Sequence, residues 1–247
     1  MLQRIILIVI IATVLVSCQF SETMVLNEDG SGRMSIAMDM SEMMSMMPTD
    51  DTLELKTDSI ISFKTFFDEK RDSIAKLPMA EQERLKLLEK YNMRVLIDPA
   101  EKHMEYEIFV DFTSVEEANN LMDGLNATES LKPATAGGAN NTSSKKKPTP
   151  QATAVQYSYK NNVFSRDGYI KDAEAFAKLN DSIKSLESFM EGAMYSVKYT
   201  FPKKIKSVSI QDAKISNNGK TVTFQKPFIA YLKNPDELDL EIVLEEN

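Results

Sequence analysis

Apolar residues recur along this chain with two periods, and the switches between them divide it into elements. An alternating pattern marks strands. Ser21–Leu26 and Arg33–Asp39 flank Asn27-Glu28-Asp29-Gly30-Ser31-Gly32, where Asp-Gly and a second Gly supply positive φ cheaply, so they predict a first hairpin. In its second strand Met34, Ile36 and Met38 alternate against Arg33, Ser35 and Ala37. Met93–Asp98 and Met104–Phe112 predict a second hairpin, and Val155–Tyr159 with Val163–Ser165 a third, around Asn161-Asn162. Tyr195–Phe201, Ile205–Ile210 and Thr221–Phe224 follow as strands. In the final strand Leu238, Leu240, Ile242 and Leu244 point one way and Asp239, Glu241 and Glu245 the other.

A helical period marks the remainder. Met40, Met43, Met44 and Met47 share one face, and Pro48 stops the run. Ile60, Phe63, Phe67, Ile74 and Leu77 predict a long amphipathic helix, with a second from Pro78 to about Lys90 carrying Leu85 and Leu88. Ser114-Val115-Glu116-Glu117 reads as a capping box before Val115, Ala118, Leu121, Met122 and Leu125. Gly168–Glu191 predicts a helix with Phe176, Leu179, Ile183, Leu186 and Met190 inward, closed by Gly192. The order implies an α+β fold in which antiparallel β-hairpins form a sheet with amphipathic helices packed on it.

Residues 127–154 break both periods. They are Ala, Thr, Ser, Asn, Gly and Pro with a Lys145-Lys146-Lys147 run, the composition of a disordered insertion. Neither side balances sheet against helix, so the insertion is expected to interrupt one fold. The expected organisation is residues 1–17 as a signal peptide, 18–126 and 155–247 as the two parts of an α+β domain, and 127–154 between them.

The signal rests on Arg4, the apolar run Ile5–Val16 and the sequence Leu15-Val16-Ser17-Cys18. The run is shorter than the roughly 20 apolar residues that span a bilayer. Leu-Val-Ser-Cys resembles the lipobox of bacterial lipoprotein signals. The resemblance implies cleavage before Cys18 and acylation of its thiol and new amino group. Cys18 is the sole cysteine, so no disulfide or thiolate metal site is left to the exported chain. Loss of Arg4 moves the net charge from −8 to −9. An acidic chain is a poor partner for nucleic acid, which rewards basic patches. Gln19 follows the cysteine. An Asp there would imply inner-membrane retention in enteric bacteria, so the outer membrane is expected in a Gram-negative host.

Few residues offer chemistry. The one histidine, His103, has no companion His or Cys near it in the sequence and reads as a surface residue. Asn27, Asp29, Ser31 and Gly32 fit the first positions of a calcium loop, but its twelfth position is Met38 instead of Glu. The thioethers of Met40, Met43, Met44 and Met47 suit Cu(I), against the alternative of a pliant core face. Asp51-Thr52-Leu53, Asp58-Ser59-Ile60, Asp72-Ser73-Ile74 and Asp181-Ser182-Ile183 resemble the O-glycosylation sites of exported Bacteroidota proteins. That resemblance implies modification at Thr52, Ser59, Ser73 and Ser182, while helix caps are the alternative.

The turn Asn27–Gly32 just after a lipidation cysteine, together with Tyr199-Thr200-Phe201-Pro202, resembles the LppM-like group of bacterial envelope lipoproteins. The resemblance implies an extracytoplasmic α+β domain without established catalytic residues. The helical insert and residues 127–154 depart from the group, so no ligand is carried over. With no HExxH motif, no free thiol and no recognisable nucleophile turn, the expected role is non-enzymatic and without a cofactor. It is a binding or scaffold module held to the membrane by its N-terminal lipid, with an envelope protein as partner. The alternatives are a carrier of a lipid or other apolar ligand, and Cu(I) binding.

Overall fold

The computed structural model describes residues 19–46, 56–121, 152–185, 187–188 and 190–246. Cys18, Met47, Thr52 and most of the insertion lie outside the described residues. Strands β1 (Gln19–Leu26), β2 (Gly32–Asp39), β3 (Thr57–Ser62), β4 (Asn92–Asp98), β5 (His103–Phe112), β8 (Met194–Thr200), β10 (Lys214–Ile215) and β11 (Thr221–Pro227) form one eight-stranded sheet. Its order is β10-β11-β8-β1-β2-β5-β4-β3. Strands β6 (Thr153–Lys160), β7 (Val163–Ile170), β9 (Ile205–Val208) and β12 (Leu240–Leu244) form a second sheet in the order β6-β7-β12-β9.

The α+β expectation holds, and the hairpins pair as expected. Asn161 and Asn162 both take positive φ, 53° and 60°, which is what a two-residue turn between β6 and β7 demands. The strand order adds what no local pattern shows. β1 pairs antiparallel with β2 and parallel with β8, so Glu22 lies between Ile36 and Val197. The large sheet therefore takes strands from both sides of residues 127–154.

Alternation sets the core. Glu22, Met24 and Leu26 of β1, Met34 and Ile36 of β2, Tyr195, Val197 and Tyr199 of β8, and Val222 and Phe224 of β11 are buried. The small sheet turns Val155, Tyr157, Phe164, Leu240, Ile242 and Leu244 toward them. The Phe164 ring meets Tyr199 at 5.2 Å and Phe201 at 5.3 Å, both edge-on, so the sheets pack face to face. Helices α1 (Ser41–Met46), α2 (Phe63–Glu69), α3 (Arg71–Ile74), α4 (Met79–Leu87), α5 (Ala173–Lys184) and α6 (Phe228–Lys233) complete the described elements, with 3-10 turns at Val115–Asn120 and Pro235–Leu238. Phe63, Phe67, Leu85 and Leu88 join the same core cluster.

Several boundaries differ from the periodic reading. The helix expected from Ile60 starts only at Phe63, because Thr57–Ser62 pairs with β4 as an edge strand. Ile60 is 64% exposed and belongs to no core stripe. Pairing with a strand some thirty residues on overrides the helical spacing. Gly168 does not open a helix; β7 runs on to Ile170, and Asp172 caps α5 by accepting from the Ala175 amide at 2.9 Å. The capping box does not form. The Ser114 hydroxyl bonds Glu116, and Glu117 bonds the Thr113 amide instead, over a 3-10 turn. β6 begins at Thr153, inside the expected insertion.

Because β1 and β8 are neighbours, a cut within residues 135–150 should not divide the molecule. A chain cleaved at a protease site introduced there is expected to elute as one particle on gel filtration and to melt in one calorimetric transition. Separate fragments or two independent transitions would contradict the shared sheet.

Candidate functional site

Sequence patterning places Glu22 on the apolar face of β1, between Phe20 and Met24. The same alternation in β7 turns Arg166 inward with Phe164. The two side chains meet between the sheets and are 1% and 0% exposed. Arg166 Nε donates to Glu22 Oε1 at 3.1 Å and Nη2 to Oε2 at 3.2 Å, a two-point pair. Three tyrosine hydroxyls also donate to the carboxylate: Tyr157 to Oε1 at 2.8 Å, Tyr195 to Oε2 at 2.7 Å, and Tyr199 to Oε1. Arg166 Nη1 reaches the Leu238 carbonyl at 3.4 Å, and its guanidinium lies 5.7 Å from the Tyr231 ring centre. That carbonyl is presented by the turn Pro235–Leu238, which packs against Gly168. A Cβ at Gly168 would stand 2.6 Å from the Pro235 carbonyl oxygen.

Burial by itself would push the Glu22 carboxyl up. The Arg166 charge and the Arg166 and tyrosine hydrogen bonds outweigh it and hold the group below its ordinary 4.5. Burial, followed by the Glu22 charge, pushes Tyr157, Tyr195 and Tyr199 well above 10.0, so they stay protonated and donate. Every charged atom is satisfied and shielded from solvent. The cluster joins β1 to β7 and β8; it offers no opening to a substrate.

The open charged surface lies on the outer face of the large sheet. Arg33, Asp58, Ile60, Arg94, Glu107 and Phe109 line a depression across β2, β5, β4 and β3. Arg33 forms a fork with Asp111 at 2.6 and 2.7 Å and lies 4.8 Å from the Phe109 ring centre. Arg94 forms another with Asp58, both bonds at 2.8 Å. The surface thus carries two guanidinium–carboxylate pairs, with Arg33 covering the buried Phe109 ring.

The sequence-based candidates are scattered. Met40 and Met44 are half-buried at and beside α1, while the Met43 side chain and Met47 lie outside the described residues. Ser59 is exposed on β3 and Ser73 on α3; Ser182 is exposed on α5 with its hydroxyl donating to the Lys178 carbonyl at 3.0 Å. Asp29 Oδ1 is already engaged by the Ser31 amide at 3.0 Å and hydroxyl at 2.6 Å, and Met38 lies within β2. Among the described residues no group of three or more His, Cys, Asp or Glu could hold a metal. His103 is half-buried, not a free surface residue: its Nδ1 is 3.0 Å from the Ser41 hydroxyl. Glu22 and Arg166 were not singled out by motif. Their one signal was a charged residue at an inward position of an alternating strand.

No family model and no curated protein matches the chain. Among solved structures, the NMR structure of the folded domain of Mycobacterium tuberculosis LppM is similar at a TM-score of 0.39 and 8% identity, over 93% of this chain and 91% of that one. Among the described residues no helix is long and apolar enough to cross a membrane.

Replacing Glu22 by Gln leaves Arg166 buried with a weakened partner and should cost about 3–5 kcal/mol at neutral pH. The folded carboxyl titrates below the unfolded one, so its stabilisation is complete above pH 4.5 and is lost as pH falls through the lower, folded value. Urea midpoints of wild type and Glu22→Gln should therefore converge on acidification below pH 4.5. A gap that stays constant with pH would contradict the ionised assignment.

Proposed function

We propose that this chain is an envelope lipoprotein, tethered through acylated Cys18, that works as a non-enzymatic binding or scaffold module. The observation that carries the reading is the place of the lipobox cysteine. Cys18 is bonded to Gln19, the first residue of β1, so an acyl group on it would be joined to a central strand with no residue between. The tether has no spacer, and Glu22, four residues beyond Cys18, is fastened into the core. Such an arrangement suits a domain held in a set pose at a bilayer.

A binding role draws support from the Arg33–Phe109–Arg94 surface, which is open and pre-ordered by its carboxylate partners. It is favoured over an apolar carrier because Phe164, Tyr199, Phe201 and the Glu22–Arg166 cluster fill the space between the sheets where a ligand would lie. The partner expected is an envelope protein, with no nucleic acid, and in a Gram-negative host the site of residence is the outer membrane.

On cell fractionation wild type should sediment with membranes and carry the mass of its acyl chains, while Cys18→Ala should be released or mislocalised. Several acyl chains, at about 0.8 kcal/mol per buried CH₂, anchor far more firmly than one. Wild type found soluble and without acyl mass would overturn the reading.

A further inference from the structure

We infer that the tip of β7, Tyr169 and Ile170, is a second membrane contact that inserts between lipids at the end of the sandwich where β1 begins. The inference rests on the lipoprotein reading above and adds the orientation of the domain on the bilayer.

The geometry comes from matching levels on the two sheets. Phe164 meets Tyr199, and Tyr199 pairs with Met24. Two residues further along β7, Arg166 meets Glu22, two residues back along β1. The strands thus descend together, so Gly168 and Ile170 lie toward the end of the sandwich at which β1 begins with Gln19 and Phe20. At this end α6 and the Pro235–Leu238 turn lie between the sheets, Phe20 stacking on Phe228 at 3.8 Å and Gly168 lying against Pro235, so the β7 tip shares the end of the sandwich with Gln19 across that layer.

Of the exposed large apolar residues on strands, Tyr169 and Ile170 are the two toward this end, since Val25 and Ile215 lie at the other and Ile60 and Ile61 on the edge strand β3. Tyr169 and Ile170 are 42% and 47% exposed. Ile170 shares the inward-facing side of β7 with the buried Phe164 and Arg166, so its exposure marks the point where the strand has run to the end of the sandwich. The tip is closed by the Lys171 amide donating to the Ala152 carbonyl at 2.9 Å, which fixes the pair in place. Tyrosine favours the headgroup level and isoleucine the hydrocarbon below it. Met40 follows directly on Asp39, the partner of Gln19, so the methionine-bearing start of α1 leaves β2 at the same end. The occupant is the bilayer itself, because acyl chains on Cys18, the residue bonded to Gln19, would enter it under the lipoprotein reading.

The chain lacks tryptophan, so one introduced residue reports alone. Ile170→Trp and Tyr169→Trp would be purified from membranes in the acylated form, checked by intact mass, and reconstituted into phosphatidylcholine vesicles with and without bromine on the acyl chains. Ile215→Trp serves as the distant control, since Ile215 pairs with Val222 at the level of Tyr199. Both tip variants should emit at shorter wavelength on reconstitution and lose most of their intensity to brominated lipid, while Ile215→Trp should do neither. Acylated tip variants that keep water-like emission and are not quenched overturn the inference alone. Absence of the acyl mass overturns the lipoprotein reading and the inference with it.

Discussion

The pair formed by Glu22 and Arg166 is the constraint on which the rest of the structure depends. An ionised carboxylate and a guanidinium between two sheets lose most of their hydration, a cost recovered only if both find fixed partners. Three tyrosine hydroxyls, the Leu238 carbonyl and the Tyr231 ring supply them. Those partners come from β6, β8, the turn before β12 and α6, so one register of the sandwich satisfies the charges. Sliding β1 by a single residue would turn Glu22 out and Ser21 or Thr23 in, leaving Arg166 buried and unpaired. Such a pair is better understood as specifying the packing than as adding net stability.

That constraint joins the proposed anchor to the fold. β1 lies between β2 and β8, in the middle of the large sheet, and it is also the first described strand after Cys18, the proposed acylation site. A load on the proposed tether would meet ladders on both sides of β1 whose hydrogen bonds lie across the strand, and then the Glu22 cluster. The charged outer face and the β7 tip therefore hold fixed positions relative to Gln19, the first residue of β1.

The α+β class and most strands were legible because alternation survives wherever one face is buried: Met34–Ile36–Met38 and Leu240–Ile242–Leu244 stand where the pattern puts them. Ile60, Phe63 and Phe67 fit a 3.6-residue period and predict helix from Ile60, and only the pairing of Thr57–Ser62 with β4 decides for strand. α6 escaped notice for the opposite reason, since Phe228–Lys233 is too short for a period to emerge. The parallel pairing of β1 with β8 has no local signature at all. The charge cluster was visible only as a pattern violation, Glu22 among apolar residues, and its partner lies 144 positions away. The methionine face was legible as a helix, but a period cannot distinguish a ligand set from packing.

A double-mutant cycle on Glu22→Leu and Arg166→Met, read from urea unfolding at neutral pH, tests the central constraint most directly. Each single replacement strands a buried charge, so the account predicts about 3–5 kcal/mol lost by each and a double variant far more stable than the two losses added together. Additive losses would show that the two residues act independently, and that the packing of the sheets does not rest on their pairing.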